Sequence, residues 1–554
     1  MGTDVLTLYI FYKVSYSRRI YIFKTEEVRL VGRAKVVQFW NNRYQGSLSR
    51  DTCDKLEQII ELDKNNGGFS DLRHIIYELS DTDTAKVISE TEETGQVYSV
   101  IDQHIGTLSD MQTLGTAFMF VSENCILGDS VGLGKTPQVA GLVRMLANSY
   151  KSKGLPFRYL MLTEKSLIDQ TRFKMVKFTG EYADSLQGDA TSVKKFASKY
   201  PTGFGLGLGV VGSHTLLNQP LFVEWLRSAM AARNFPFDLL IVDESSVLGN
   251  LSSGITKNAK VLIPNFDRVV FLNATPFETK LDTFYSQLSL LDKDFLPTKT
   301  NFQKEYVVYD YRGMYPRPTG KYKNADTFRD LVAYRYFART RRAKGAVMEG
   351  CTGRVVVSPL SKIQKAWLSK TQIPQLVFDC PNALDYSIEF NEDNVPKLAS
   401  LLEVLQKDCE AADTILLFVH YRQAQDSLSD WLYDHGYSNR ILCGETKDAE
   451  RADIIRGFKN SEFRVLITNV QKGLDFGDCN YCIFYSFDPN PSKMVQFEGR
   501  ITRSFNILDK HVMLLCSQGR ELDRLNKVIK TRAQASAQFT QSDLSCIMSI
   551  LLDE

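Results

Sequence analysis

The chain has 554 residues, of which 44% are apolar and 24% are charged, as is typical of a globular protein with several domains. No apolar run approaches the length of a membrane span, and the N-terminus lacks the layout of a signal peptide, so we expect a soluble, intracellular protein. The net charge of +2 permits nucleic-acid binding through a local basic groove but does not indicate it.

The ten cysteines are scattered singly along the chain, apart from Cys479 and Cys482. This pair lies in an apolar segment, and no second pair follows at the spacing of a zinc site. We therefore expect buried, reduced thiols at these two positions.

Residues 1–100 differ in pattern from the rest of the chain. Residues 51–62 have the periodicity of a helix. Before them, apolar and polar positions alternate, as in strands with one exposed face, at Leu8, Ile10, Tyr12, Tyr21 and Phe23. We predict a small accessory α+β module.

Short apolar segments alternate with helical patterns in residues 101–300 and again in residues 386–530. Such alternation predicts two α/β lobes, each with a parallel sheet covered on both faces. Residues 301–385 lose this rhythm and are predicted to form an irregular connector, and residues 531–554 a tail with a short docking helix. The predicted strands are Tyr159–Leu162, Leu208–Gly212, Asp238–Val242, Arg268–Asn273, Ile415–Val419, Val465–Thr468, Tyr481–Phe487 and Val512–Cys516.

A glycine-rich segment, residues 128–136, separates a short apolar run from a helical pattern. Glycines allow successive backbone N–H groups to surround phosphates, and the N-terminus of the next helix faces the negative charge. Lys135 would reach the β/γ-phosphates of a nucleotide, and Thr136 would hold Mg²⁺. Asp129 stands where the strict phosphate-loop pattern has its first glycine, so the alternative is a glycine-rich turn beside an ordinary helix.

An acid pair, Asp243 and Glu244, directly follows the predicted strand Asp238–Val242. Ligand groups in parallel sheets lie just past the carboxyl ends of strands. We expect Asp243 to bind Mg²⁺ through water and Glu244 to orient and deprotonate the attacking water. The pair should lie on a strand that neighbours the strand before the glycine-rich segment.

Residues 496–503, in the second lobe, read QxxGRxxR. Arg500 and Arg503 are one helical step apart and share a face. Both could reach across a cleft to the γ-phosphate as arginine fingers, although a solvated basic helix face has the same pattern.

In this order, the motifs resemble those of helicase superfamily two, most closely the Swi/Snf-type branch of double-stranded-DNA translocases. Residues 129–136 read DSVGLGKT, close to the family's DExGLGKT, and residues 108–112 resemble its LRPYQ. The resemblance covers about residues 105–520. Further segments that match in order are residues 160–170 (motif Ia), 243–246 (DEAH), 273–276 (motif III), 341–344 (RRxK), 360–364 (LSxxQ), 466–475 (motif V) and 496–503 (motif VI).

The resemblance implies two tandem RecA-like lobes that hydrolyse ATP with Mg²⁺ while gripping nucleic acid, most closely duplex or branched DNA, without sequence preference. It assigns catalysis to Lys135, Glu244, Arg500 and Arg503, and coupling to Thr275 and Gln496. Nucleotide contacts are implied for Gln112, Asp129, Gly132, Leu133, Gly134, Lys135, Thr136, Gly473 and Asp475. Nucleic-acid phosphate contacts are implied for Lys165, Ser166, Gln170, Ser213, His214, His420, Thr468 and Asn469.

The chain also departs from the Swi/Snf pattern. Ser245 and Ser246 replace the usual Ala-His after the acids, Pro489 replaces a tryptophan, and residues 472–475 resemble the RGxD of helicase-type relatives. The large insertions of eukaryotic remodellers are absent, which favours a compact prokaryotic or viral member. Two alternatives therefore stay open: a strand-separating DNA or RNA helicase, and an ATP-gated binding switch or clamp.

Overall fold

The computed structural model describes most of the chain after residue 110 and one short N-terminal hairpin. In that hairpin β1 (Leu8–Val14) pairs with β2 (Arg19–Thr25) antiparallel, as the alternating pattern predicts. The helix expected at residues 51–62 lies outside the described residues. These residues are 8–14, 19–25, 108, 110–152, 154–201, 209–231, 237–277, 280–292, 295–312, 315–333, 335–340, 351–470, 476, 479–486, 488, 490–501, 510–528 and 534–540.

The first lobe, described residues 110–340, is built on a seven-stranded sheet with the order β11-β3-β8-β7-β4-β6-β5. All of its neighbouring strands run parallel. The strands are β3 (Asn124–Leu127), β4 (Tyr159–Thr163), β5 (Ala183–Leu186), β6 (Gly209–Ser213), β7 (Leu239–Asp243), β8 (Arg268–Leu272) and β11 (Tyr336–Phe337).

Helices cover both faces of this sheet. Strand β4 is buried along its whole length, with Leu160 and Leu162 in one apolar cluster and Tyr159 and Met161 in the other, because successive side chains point to opposite faces. The helices are α1 (Asp110–Ser122), α2 (Lys135–Ser152), α3 (Ile168–Thr179), α4 (Ala190–Lys199), α5 (Pro220–Ala231), α6 (Gly254–Leu262), α7 (Leu281–Leu291), α8 (Lys299–Tyr306) and α9 (Ala325–Val332).

The second lobe, described residues 351–528, has a six-stranded sheet with the order β12-β17-β16-β13-β15-β14, which is also parallel throughout. Its strands are β12 (Cys351–Ser358), β13 (Ile415–Phe418), β14 (Asn439–Leu442), β15 (Val465–Thr468), β16 (Tyr481–Phe484) and β17 (Lys510–Ser517). Its helices are α10 (Lys362–Trp367), α11 (Pro374–Asp379), α12 (Pro396–Lys407), α13 (Arg422–Asp434), α14 (Asp448–Lys459), α15 (Pro491–Glu498) and α16 (Arg520–Val528).

The two lobes confirm the predicted fold class, and all eight predicted strands are present with shifts of up to three residues at their ends. Cys479 and Cys482 are buried free thiols, as expected. One expectation about strand order is wrong: β8 lies between β3 and β7, so the acid pair and the glycine-rich loop do not follow neighbouring strands.

The predicted connector is less irregular than its sequence suggests, because each sheet takes an edge strand from it. β11 pairs with β3 of the first lobe, and β12 pairs with β17 of the second over eight residues. The same region holds a hairpin formed by β9 (Val307–Asp310) and β10 (Arg317–Tyr322). The RRxK segment, residues 341–344, lies outside the described residues.

The C-terminal tail contributes a short helix, α17 (Gln534–Thr540), which follows the second lobe in sequence but packs on the first. Phe539 is buried among the rings of Phe328, Tyr322 and Phe277, with ring centroids 5.3, 5.8 and 6.0 Å away. The Tyr336 hydroxyl donates a hydrogen bond of 2.8 Å to the carbonyl of residue 540. The chain therefore returns to the first lobe after completing the second.

No helix within the described residues is long and apolar enough to cross a membrane.

Replacing Phe539 with alanine should detach α17 from the first lobe, because truncating a buried phenylalanine costs about 3–5 kcal/mol. We expect faster hydrogen–deuterium exchange across residues 534–540. Tyr433→Ala, which removes an exposed ring of the second lobe, is the matched control. Unchanged exchange in the Phe539 variant would contradict this docking.

Candidate nucleotide site between the lobes

The glycine-rich loop has the backbone of a phosphate cradle. Gly132 and Gly134 adopt φ angles of 95° and 77°, which side chains rarely tolerate. Helix α2 begins immediately afterwards, at Lys135, and runs for 18 residues. A Cβ atom on Gly134 would lie 2.4 Å from Nε2 of Gln112, so this predicted nucleotide-contacting glutamine lies directly against the loop.

Asp129 and Lys135 differ in what their side chains contact. The Lys135 ammonium donates a 2.6 Å hydrogen bond to the Asp129 carbonyl, which keeps it over the loop. The buried Asp129 carboxylate forms an ion pair with Arg339 and also accepts hydrogen bonds from Arg339 Nε at 2.9 Å and Gln138 Nε2 at 2.9 Å. The Asp129 carboxylate therefore joins the loop to the connector. The predicted nucleotide contact of Asp129 stays a prediction, and it would have to come from the backbone.

The acid pair lies at the carboxyl end of β7. Glu244 has φ 48° and ψ 54°, a left-handed conformation that costs a non-glycine residue about 1–3 kcal/mol and is common at functional sites. Its backbone N–H donates to Asp243 Oδ1 at 3.1 Å. Both carboxylates are partly exposed, so they are available to a ligand in the cleft.

The second lobe contacts this site through α15 and the residue that follows it. Gln496 Nε2 donates to Glu244 Oε2 at 3.4 Å. A Cβ atom on Gly499 would lie 2.4 Å from Cγ1 of Val131 in the glycine-rich loop. The QxxGRxxR segment thus faces both the loop and the acid pair, as the sequence predicts.

Not every predicted nucleotide residue can be located. Arg500 is the second residue after α15, and its carbonyl accepts a 3.0 Å hydrogen bond from the Phe476 N–H. Arg503, Gly473 and Asp475 lie outside the described residues, so their roles stay predictions.

Gln287 was missed by the sequence analysis, yet it connects the acid motif to motif III. Its Oε1 accepts hydrogen bonds from the Ser245 hydroxyl at 2.7 Å and from Asn273 Nδ2 at 2.9 Å. Its Nε2 donates to the Pro276 carbonyl at 3.2 Å. Ser245 is the residue that replaces the family's alanine, so this chain links the two motifs through a buried amide.

Thr275, predicted to couple hydrolysis to movement, lies beside that amide bridge. Its backbone N–H donates to Asn273 Oδ1 at 3.0 Å. Its buried hydroxyl oxygen has no hydrogen-bond partner among the described residues. A buried hydroxyl in this state costs about 1–3 kcal/mol.

The predicted nucleic-acid residues of the first lobe fall into two groups. Lys165, Ser166 and Gln170 are exposed, next to the carboxyl end of β4, where a phosphate could reach them. Ser213 and His214 are buried. His214 Nε2 lies 2.6 Å from the Asp243 carbonyl, and Ser213 Oγ accepts from the Thr215 N–H at 3.3 Å, so both side chains contact neighbouring backbone.

In the second lobe, the predicted contacts form a connected group. Asn469 Nδ2 donates to the His420 carbonyl at 3.2 Å, and the His420 N–H donates to the Ser486 hydroxyl at 3.0 Å. Thr468 is fully buried, and its hydroxyl accepts from the Val470 N–H at 2.9 Å. His420 and Asn469 are the partly exposed members of the group, and Thr468 shapes the turn.

A buried charge cluster supports this group. The Lys397 ammonium, fully buried, bonds to Asp379 Oδ1 at 2.8 Å and Glu521 Oε1 at 2.9 Å. Burial alone would lower the pKa of Lys397, but the two carboxylates raise it above its ordinary value. Asp379 Oδ2 accepts from the Ser486 hydroxyl at 2.8 Å, so the cluster fixes the backbone that carries His420.

A phosphate loop and an acid pair on one parallel-sheet lobe, contacted by a glycine and a glutamine of a second such lobe, define a two-lobed nucleotide-binding protein. The SNF2-related domain matches residues 34–411, and the helicase conserved C-terminal domain matches residues 396–505. The chain belongs to the SNF2-related family of helicase superfamily two.

Its relatives share modest identity. The chain is 23% identical over 479 residues to chromodomain-helicase-DNA-binding protein 1-like of Danio rerio, covering 78% of this chain and 43% of that protein. It is 24% identical over 424 residues to the uncharacterized ATP-dependent helicase YqhH of Bacillus subtilis, covering 70% and 71%. Across four of the curated relatives, it spans between 34% and 47% of their length.

Among solved structures, the chain is similar to the Sulfolobus solfataricus SWI2/SNF2 ATPase core in complex with dsDNA. The sequence identity is 18% and the TM-score is 0.37, over 78% of this chain and 94% of that one.

Gly499→Ala should weaken the contact between the lobes, since its Cβ would meet Val131 well inside van der Waals distance. The φ of Gly499 is −62°, so alanine adds no backbone strain and the effect is steric. We expect a several-fold slower ATP turnover. Adding Val131→Gly removes both Val131 carbons that would lie within 2.7 Å of the new Cβ atom and should restore much of the turnover, whereas equal rates in the double and single variants would contradict direct contact.

Proposed function

We propose that this protein is a nucleic-acid-dependent ATPase that translocates on duplex DNA. The observation that carries the proposal is the hydrogen bond between Gln496 of the second lobe and Glu244 of the first. Through this bond, a movement of the second lobe would act on the carboxylate that we expect to activate water. Similar proteins include a DNA excision repair protein and a DNA repair and recombination protein. Their names support DNA as the partner.

The residues at the cleft fit ATP and Mg²⁺. The N–H groups at the start of α2 and the Lys135 ammonium supply positive charge for the phosphates. The Thr136 hydroxyl and the Asp243 carboxylate are oxygen donors of the type that Mg²⁺ prefers, and bound Mg²⁺ would neutralise phosphate charge. Gln112, against the loop, would contact the base.

Glu244 is the residue we assign to water activation. Phosphoryl transfer depends mainly on positioning and charge stabilisation, and the left-handed backbone at Glu244 holds the carboxylate at the strand end. Gln496 contacts this carboxylate, so closing the cleft would hold Glu244 in place. The same closure would bring Arg500 and Arg503 toward the transferred phosphate.

Movement on DNA would follow from the same closure. Lys165, Ser166 and Gln170 on the first lobe, and His420, Thr468 and Asn469 on the second, provide two separate sets of polar groups. Contacts of this type position a nucleic-acid backbone without reading bases. Opening and closing the cleft once per ATP would shift one set relative to the other along the strand.

Lys135→Ala and Glu244→Gln should fail at different steps. The lysine variant loses the cation that holds the phosphates, so both ATP binding and turnover should fall. The glutamine variant keeps that cation and loses only the water-activating carboxylate, so ATP should bind with near-normal affinity while turnover falls at least a hundredfold. Equilibrium nucleotide binding and single-turnover hydrolysis distinguish the two, and normal turnover in Glu244→Gln would refute the assigned base.

Duplex DNA should stimulate the ATPase more than single-stranded DNA or RNA does, with little sequence preference. Because backbone contacts release counterions, the apparent affinity should fall steeply with added salt. ATPase assays with each nucleic acid at matched salt test this. Stronger stimulation by RNA or single strands would favour a strand-separating helicase, and no stimulation by any nucleic acid would favour an ATP-gated switch.

A further inference from the structure

The hairpin β9–β10, which we call the tyrosine hairpin and define by residues 307–312 and 315–322, is packed at its base and exposed further out. Val307 pairs with Tyr322 at the base, and Asp310 pairs with Arg317 toward the tip. Beyond Asp310, the side chains of Tyr311 and Tyr315 are each 73% exposed. The hairpin therefore presents two large rings to solvent within five residues of each other.

The hairpin carries more cations than acids: Arg312 and Arg317 lie toward the tip, Lys321 and Lys323 flank Tyr322 at the base, and Asp310 offsets the charge of Arg312. Residues 311–323 contain no acidic residue, and the four cations among them are Arg312, Arg317, Lys321 and Lys323. Each of these four is exposed. The Arg312 guanidinium is oriented by Asp310, with Nη2 3.0 Å from Oδ2. Rings interleaved with cations complement a polyanion whose bases can stack.

The base of the tyrosine hairpin is fixed to the segment that follows motif III. The Tyr322 ring packs edge-on against Phe277 with centroids 5.1 Å apart, and Phe277 is two residues beyond Thr275. The Lys323 N–H donates a 3.0 Å hydrogen bond to the carbonyl of the buried Tyr306. A rearrangement at motif III would therefore be transmitted to the hairpin.

We infer that the tyrosine hairpin binds unpaired bases at a fork, gap or end of duplex DNA. Within a continuous duplex, neighbouring base pairs cover the faces of the bases, so exposed tyrosine rings can stack only where a base is open. The cations would hold the adjoining phosphates. This inference rests on the proposed function and adds a preferred substrate to it: a junction between duplex and single strand.

The test compares the Y311A/Y315A variant of the full chain with a matched control, Y386A/Y433A. The control removes two tyrosines of the second lobe that are 96% and 76% exposed. Fluorescence anisotropy at one salt concentration measures affinity for a forked duplex and a blunt duplex of equal length. A stacked ring contributes about fivefold or more to affinity, so Y311A/Y315A should lose at least fivefold on forked DNA and little on blunt DNA.

Two further results are expected. Y311F/Y315F keeps the rings and should keep the fork preference, and 2-aminopurine placed in the unpaired arm beside the junction should be quenched by the wild-type chain but not by Y311A/Y315A. Unchanged fork affinity in Y311A/Y315A, or an equal loss in Y386A/Y433A, would overturn the inference.

The failure of this inference can be told apart from failure of the proposed function. If duplex DNA stimulates the ATPase of all variants and Y311A/Y315A still prefers forks, the hairpin assignment alone is wrong. If no nucleic acid stimulates the wild-type ATPase, the proposed function is wrong, and the hairpin inference falls with it.

Discussion

The arrangement of the nucleotide site depends on the buried ion pair between Asp129 and Arg339. Asp129 belongs to the glycine-rich loop, and Arg339 follows β11 in the connector, 210 residues later. Both side chains are almost fully buried, and removing one partner of such a pair leaves an uncompensated charge that costs about 3–5 kcal/mol. Through this ion pair, the connector holds the glycine-rich loop in place. The arrangement of the site therefore depends on the connector as well as on the residues that would contact the nucleotide.

The backbone beside this ion pair packs closely against β11. Gly128 lies so close to β11 that a Cβ atom there would be 2.3 Å from the Tyr336 ring. Its N–H donates to the Phe337 carbonyl at 2.6 Å. Position 129 is an aspartate rather than a glycine because its carboxylate pairs with Arg339.

Much of this architecture follows from sequence, because central parallel strands are continuous apolar runs. Strands β4, β7 and β13 are of this kind and were predicted. β5 and β14 were not, since they lie at sheet edges and contain polar residues such as Asp184 and Arg440. β11 has only two residues, too few for any periodicity. β12 was assigned to the connector because its apolar run follows a polar start and lies at a half-exposed edge.

The candidate site likewise contains short motifs, which the sequence can indicate, and single residues, which it cannot. The glycine-rich loop, the acid pair and the QxxGRxxR segment were predicted from short motifs taken in their order along the chain, because each motif has a fixed geometry. Gln287 and Arg339 gave no such signal: each is a single residue whose importance depends on partners distant in sequence. The burial of Ser213 and His214 was equally unreadable, since it depends on how β6 and β7 lie side by side.

The docking of α17 on the first lobe has a consequence for biosynthesis. The rings of Phe277, Tyr322 and Phe328 would remain uncovered while the second lobe is translated, until residues 534–540 leave the ribosome. Exposed aromatic surface in an incomplete chain favours aggregation and chaperone binding. The first lobe is thus synthesised before the second lobe but completed only after it, which links the folding of the first lobe to synthesis of the chain through α17.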